Sequence, residues 1–441
     1  MTDERFTLIK NLRLLDAAAG RTDGCDLLFS VKNKKSRILA IGKNLALPEG
    51  GNGTLIKAHG KLVCPAFTDL RCRIPDPGLM QKDPFASAAP AESLTTGLFS
   101  ACAGGYGEIL LTPCAKAAPD TPERVRTALD NCKTSSCKVR LAVPMTQGGK
   151  GEKLCELDRL FEAGASAVSA ESFEREPDAA TLLEALRFTG QRGALFIAPA
   201  GDRSLDGAGA VNKGGITRFT GSAGIEPLSE VLALSRALIL AEETGAPVHF
   251  PMITLKKSVE TVRKAKEAGV QITCATAPPY FSYNESEVLL SGSNAKLLPP
   301  LRREEDRMAV VEGLADGTID CIVSDHDPHT AAEKAGGIEK AAFGATGFET
   351  AFGAGITHLV LPEYLSIYRL IALMAIAPAK LLGKDASIRE GGPCDLLFID
   401  PDAEMVYGKN SLRSRSANTP FGGRSLRGRV IAMFADGVRQ F

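Results

Sequence analysis

Two arginines stand one residue apart, Arg71 and Arg73, in the run Asp69-Leu-Arg-Cys-Arg-Ile-Pro-Asp-Pro-Gly78. On a strand, alternate side chains share a face, so both guanidinium groups point to one place. A guanidinium is permanently charged, offers several donors and has no lone pair to give a metal. Such a pair can neutralise buried carboxylates, or it can fork a small carboxylate or phosphate. The natural counter-charge is Asp325, in Ser324-Asp-His-Asp-Pro-His329. An internal cluster of Arg71, Arg73 and Asp325 is therefore expected, because an unpaired buried carboxylate is costly.

Histidine chemistry is sparse. The chain has five histidines, His59, His249, His326, His329 and His358, and none pair as x-His-x-His-x. A zinc centre needs converging imidazoles and carboxylates, so no metal is expected. His326 and His329 read as hydrogen-bonded loop residues and His249 as a core or rim residue. The 11 cysteines are scattered without a Cys-x-x-Cys spacing. Cys64, Cys102, Cys274 and Cys321 read as small core residues. Cys72 and Cys114 have no histidine partner evident in sequence, which favours packing over a reactive thiol. The glycine-rich stretch 207–215 lacks the strand–Gly-x-Gly-x-x-Gly–helix order of a dinucleotide site. It reads as a mobile loop, as does 330–347.

These residues need elements to carry them. Short β-rich segments open the chain at 7–15, 27–31, 38–42 and 54–58. Strand-length apolar runs then alternate with helical periodicity. The runs are 64–70, 108–112, 139–144, 165–170, 194–199, 248–251, 272–276 and 321–324. The clearest helical stretches are 123–131, 182–190, 228–244, 259–269 and 304–315. Eight such repeats predict an α/β fold, a (β/α)8 TIM barrel over residues 61–385. The chain returns to β character at 395–400 and 429–437, so residues 1–60 and 386–441 are expected to form one small composite β-sandwich domain.

Length and charge narrow the function. At 441 residues the chain suits a large barrel with an appended module. Its 52 basic and 52 acidic residues are mixed and cancel, which argues against a nucleic-acid or membrane-surface partner. The N-terminus lacks the apolar stretch of a signal peptide, and no apolar run is long enough to span a bilayer. A cytoplasmic location is expected.

The run at 69–78 resembles the first barrel strand of dihydroorotases of the aspartate-transcarbamoylase-associated type, within the amidohydrolase superfamily, where the pattern is Asp-x-His-x-His-x-Arg-Asp-Pro-Gly. Further matching stretches are Leu298-Pro-Pro-Leu-Arg-Arg-Glu-Glu-Asp306, Asp316-Gly-Thr-Ile-Asp320, Ser324–His329, Thr346-Gly-Phe-Glu-Thr-Ala-Phe352, Asn418-Thr-Pro-Phe-Gly-Gly423 and Leu426-Arg-Gly-Arg-Val430. Their order and spacing cover nearly the whole chain. The resemblance implies a zinc site, and position by position this sequence lacks its ligands. Arg71 and Arg73 replace two histidines. Ala170 and Glu171 replace an aspartate pair, leaving only Glu171 able to ligate. Pro199 and Met252 replace two further histidines. Asp325, which in relatives binds metal and acts as general base, is retained. Among the substrate contacts implied by the family, Pro75 replaces an arginine, and Cys114 and Leu298 replace asparagines. The His329 position touches the substrate carboxylate in relatives.

Three functional expectations follow. The first is a pseudo-dihydroorotase of pyrimidine biosynthesis, with no zinc cofactor, that scaffolds the aspartate transcarbamoylase catalytic subunit. Self-association into a homo-oligomer is compatible with that role. The second is a working cyclic-amide hydrolase, dihydroorotase- or hydantoinase-like, with a reduced or relocated metal at Asp325, His326, His329 or Glu171. The third is a small-anion binding module at the arginine pair.

Overall fold

The computed structural model describes residues 4–441 except 18–19, 50–51, 77–78, 80–90, 116–117 and 134. The last two residues of the arginine run, Pro77 and Gly78, lie outside the described residues. Four strands open the chain: β1 (Arg5–Asp16), β2 (Arg21–Lys32), β3 (Lys35–Gly42) and β4 (Asn52–Lys57). They are followed by β5 (Leu62–Pro65) and β6 (Phe67–Cys72). The apolar run expected as one strand at 64–70 is thus two strands in different sheets. β5 pairs with β1 and with a C-terminal strand, whereas β6 opens the barrel. Pro65 ends the first of these, since proline donates nothing to a ladder.

The barrel strands continue as β7 (Tyr106–Leu111), β8 (Lys138–Pro144), β9 (Ala167–Ser169) and β10 (Leu195–Ile197). Two short strands, β11 (Val211–Asn212) and β12 (Gly224–Ile225), pair outside the barrel. β13 (Val248–Phe250), β14 (Ile272–Thr276) and β15 (Cys321–Ile322) complete it. All neighbouring barrel pairs are parallel, in sequence order from β6 to β15. Closure comes from a parallel bridge between Cys72 and His326, with the Arg73 amide donating to the His326 carbonyl at 2.7 Å. The amphipathic stretches expected as helices are helices, with Leu228–Thr244 matching to the residue. Helix Leu94–Ala103, with no distinct hydrophobic periodicity, was not anticipated.

The chain ends in β16 (Leu396–Val406), β17 (Ser425–Ala435) and β18 (Val438–Arg439). These join β1–β5 in a single sheet, so the two ends of the chain do build one β-rich domain. The sheet folds over itself: Phe29 of β2 meets Phe434 of β17 with ring centroids 6.2 Å apart, although three strands lie between theirs in the sheet. Its core is Ile9, Leu12, Leu27, Phe29, Val63, Leu396 and Phe398. The barrel interior is a separate cluster of Leu70, Leu110, Ala142, Ile197, Met252, Ala275, Cys321 and Val323.

Both stretches expected to be mobile loops make hydrogen bonds from buried side chains. Asn212 is buried, its side-chain amide donating to Glu285 at 2.6 Å, and Val211–Asn212 pairs with Gly224–Ile225. In 330–347, the buried Lys334 ammonium donates to the Ala342 and Gly344 carbonyls at 2.8 and 2.9 Å. Buried main-chain acceptors need such partners, and the loop tips supply them internally.

Candidate functional site

The site is assembled at the C-terminal ends of the barrel strands, where barrels carry their chemistry. Arg71 and Arg73 bracket the end of β6, Glu171 follows β9, Pro199 follows β10 and Asp325 follows β15. Strand β6 bulges between Asp69 and Cys72, so the register shift turns Arg71 and Arg73 into the mouth while Leu70 still fills the barrel interior.

The two guanidinium groups are spent on carboxylates. Arg71 donates through Nε to Asp325 Oδ1 at 2.7 Å and through Nη1 to Glu171 Oε1 at 2.5 Å. Arg73 donates through Nη2 to Glu171 Oε2 at 2.6 Å and through Nη1 to Asp327 Oδ2 at 2.8 Å. Glu171 is therefore the hub, one oxygen to each arginine. The Arg71 side chain is 4% exposed and that of Glu171 10%, so these charges face one another with little water between them. Burial pushes the Glu171 carboxyl up, but Arg71 and Arg73 outweigh it and hold it down to about 2.

The expected cluster of Arg71, Arg73 and Asp325 is present, with two members the sequence had not assigned. In sequence Glu171 reads only as a metal ligand. Asp327 lies in the Ser324–His329 run, and its alternation with Asp325 was an available signal. Arg73 lies too far along its strand to share Asp325 as a direct partner and takes Asp327 instead.

A fourth carboxylate, Asp69, closes the barrel seam. It is fully buried and accepts from the Ser324 amide at 3.2 Å, the Arg71 amide at 3.1 Å and the Ser324 hydroxyl. Desolvation raises it to about 7 against these hydrogen bonds. Its folded state thus binds a proton more tightly than the unfolded chain, and that stabilisation is full below the ordinary carboxylate range and lost as pH rises through 7. Glu171 acts the other way, stabilising above its ordinary range and losing that contribution as pH falls through 2. Thermal unfolding midpoints are therefore expected to fall as pH rises from the ordinary carboxylate range to about 7. Asp69→Asn, whose oxygen can still accept from the two amides while its NH2 donates to the Ser324 hydroxyl oxygen, should flatten that slope; an unchanged slope would remove Asp69 as its source.

The segment after β15 is held by close main-chain approach. Asp325 has φ +49°, a region an Asp tolerates better than most residues. At Gly347 a Cβ would lie 1.9 Å from the Ser324 carbonyl oxygen, so only glycine fits there. His326 is buried, stacks on Phe348 with centroids 4.1 Å apart, and accepts through Nδ1 from the Gly347 amide at 3.3 Å. It is a seam residue. His249 is also buried, with Nδ1 3.0 Å from the Thr273 hydroxyl, and burial lowers its pKa to about 3.

Above the network lies a cavity of about 270 Å³. Arg71, Arg73, Cys114, Glu171, Pro199, Leu298, Asp325 and His329 all line it. Two expected pocket residues do not. Met252 packs in the barrel interior beneath it, and Ala170 faces the surrounding hydrophobic layer because alternation turns it away from Glu171. One polar group on the wall was missed. Buried Arg302 donates to the Thr254 hydroxyl at 3.0 Å and to Asn212 at 2.7 Å, beside Glu230. Arg302 sits in the Leu298–Asp306 stretch, so its position was visible in sequence, but its partners were not.

A zinc ion does not fit this donor set. Both Glu171 oxygens and one oxygen of Asp325 are bonded to guanidinium, and positions 199 and 252 carry no imidazole. Among the described residues no group of three His, Cys, Asp or Glu side chains could hold a metal ion. Four of the ten N–H donors of the arginine pair are engaged by these carboxylates, and the buried Arg73 Nε has no hydrogen-bond partner among the described residues.

A closed eight-stranded parallel barrel with a β-rich domain built from both chain ends is a fold of the amidohydrolase type. An L-hydantoinase from Arthrobacter aurescens shares the fold, with a TM-score of 0.83 at 23% identity, covering 100% of this chain and 96% of that one. The model of the dihydro-orotase-like family matches residues 60–258. A dihydroorotase of Geotalea daltonii is 36% identical over 431 residues, 97% of each chain. One of Thermoanaerobacter sp. is 36% identical over 433 residues, 98% of this chain and 96% of its own. The chain belongs to the dihydroorotase family. Among the described residues no helix is long and apolar enough to cross a membrane.

Proposed function

We propose that this chain is a non-catalytic member of the dihydroorotase family, a pseudo-dihydroorotase of pyrimidine biosynthesis. The observation that carries this reading is the bidentate clamp of Arg71 and Arg73 on Glu171. It puts two fixed cations where the family resemblance implies a divalent one, and a barrel without that metal has no evident source of activated hydroxide. A kept fold with altered chemistry suits a structural partner. By the same resemblance, that partner is the aspartate transcarbamoylase catalytic subunit, met in the cytoplasm, where further copies of the chain join the assembly.

Elemental analysis and a dihydroorotase assay in both directions test the first half. The expected result is substoichiometric zinc and no turnover even after zinc is added. Stoichiometric zinc with turnover abolished by Asp325→Asn would overturn it. Mixing the chain with the transcarbamoylase subunit on a sizing column tests the second half, and separate elution of the two would remove the scaffold role.

A second reading, a working cyclic-amide hydrolase with a relocated metal, draws on the full-length identity to proteins named dihydroorotase and on the open cavity. The same metal and turnover measurements decide between the two.

A further inference from the structure

The cysteines are of two kinds. Burial pushes the thiols of Cys132 and Cys155 up to about 12, the state of an inert core cysteine. Cys102 and Cys137 instead meet. Cys102 stands in the last turn of helix Leu94–Ala103, and Cys137 directly precedes β8, at the end of the barrel opposite the mouth. Their thiols are hydrogen-bonded to each other. The contact is unequal. The bond to Cys137 draws the Cys102 thiol below its ordinary range in spite of burial, while burial pushes Cys137 well up. A negative sulfur at Cys102 thus has an S–H donor waiting for it.

Access to the pair comes from one side. Cys102 lines a cavity of about 660 Å³, together with Leu98, Phe99, Asn131, Ser135 and Ser136. Cys137 lies behind that wall, 1% exposed against 4% for Cys102. A small solute in the cavity therefore reaches Cys102 first. A cysteine that opens on a cavity and is backed by a second thiol suits oxidation better than packing.

We propose that Cys102 and Cys137 are an oxidisable dithiol, with Cys102 the attacking thiol, Cys137 the resolving one and a small peroxide the oxidant. The Cys102 sulfur attacks one oxygen of hydrogen peroxide. An S–O bond forms, the O–O bond breaks, and the second oxygen leaves as hydroxide, which the Cys102 proton turns into water. The Cys137 sulfur then attacks the Cys102 sulfenic acid. The S–S bond forms, the S–O bond breaks, and the hydroxyl leaves as water with the Cys137 proton. The two thiols lose two electrons in all, and the peroxide becomes two waters. A small dithiol returns the pair to its reduced form. The link ties the foot of helix Leu94–Ala103 to the start of β8, away from the arginine network, so it holds whether or not the mouth is catalytic.

The test exposes the folded full chain to hydrogen peroxide, blocks remaining thiols with N-ethylmaleimide and maps the peptides by mass spectrometry. A peptide pair linked through Cys102 and Cys137 is expected, and dithiothreitol should undo it. It should form at least about tenfold faster than Cys132 or Cys155 is oxidised, since each unit of thiol pKa changes the thiolate fraction about tenfold. Recovery of Cys102 and Cys137 as free thiols, or their oxidation no faster than that of Cys132, overturns the proposal on the wild-type protein alone. Cys137→Ser keeps a hydrogen-bond donor beside Cys102 but cannot resolve it, so Cys102 should stop as a sulfenic acid that dimedone traps. Cys102→Ser should give no dimedone adduct at Cys137, and an adduct there would refute the assigned roles. In urea the preference for this pair should vanish among the 11 cysteines. The same preference in the unfolded chain would mean that the fold does not make the site.

Discussion

Replacing Arg71 by methionine is expected to cost the fold about 3–5 kcal/mol, because it leaves buried carboxylates without their partner while keeping most of the side chain's bulk. Three carboxylates, Glu171, Asp325 and Asp327, would then share the one guanidinium of Arg73, with the Lys334 ammonium beside Asp327 but making no ion pair with Glu171 or Asp325 among the described residues. Glu171→Gln is the informative comparison. It deletes the hub, yet leaves two guanidinium groups facing two carboxylates, Arg71 with Asp325 at 2.7 Å and Arg73 with Asp327 at 2.8 Å. The glutamine can still accept one hydrogen bond through its oxygen. The arginine variant is therefore expected to lose clearly more stability than the glutamine variant in matched denaturant unfolding. If the order is reversed, the mouth is not short of positive charge and the network has been misread.

The second large effect is a gain. In the double variant Arg71→His, Arg73→His the two fixed cations disappear and two imidazoles take their places on the same face of β6. Glu171 loses both clamps, and Asp325 recovers the oxygen given to Arg71. Imidazole nitrogen and carboxylate oxygen are zinc donors, so the variant should take up one zinc at micromolar concentration, roughly 8 kcal/mol of binding. The wild-type chain should take up none. Turnover is not expected to follow, since Pro199 and Met252 still supply no further imidazole. Zinc uptake by the double variant no greater than by the wild type would show that something other than the arginines excludes the metal.

Several parts of the fold were legible in the sequence because they depend on local periodicity. The alternating strands and helices, and the return to β character at the end of the chain, are of this kind. The split of 64–70 into β5 and β6 was not legible: both halves are apolar, and only their partners in different sheets separate them. Helix Leu94–Ala103 was missed because most of its residues are buried, leaving little contrast between faces.

At the site, residue type alone carried far. That Arg71 and Arg73 share a face, that neither can ligate a metal and that Asp325 would need a counter-charge all follow from side-chain chemistry and a period of two. Residue type could not reveal that Glu171 holds both arginines, since it lies 100 residues from Arg71. Nor could it assign Asp327 to Arg73, 254 residues away, or place Asp69 against Ser324 across the seam. It also could not place Met252 in the barrel interior and Pro199 on the cavity wall. Those facts belong to barrel closure, which brings the ends of distant strands within hydrogen-bond reach. Electrostatic energy depends steeply on separation and burial, so the chain fixes which charges exist, and only the closed barrel decides which of them meet and how many are left over.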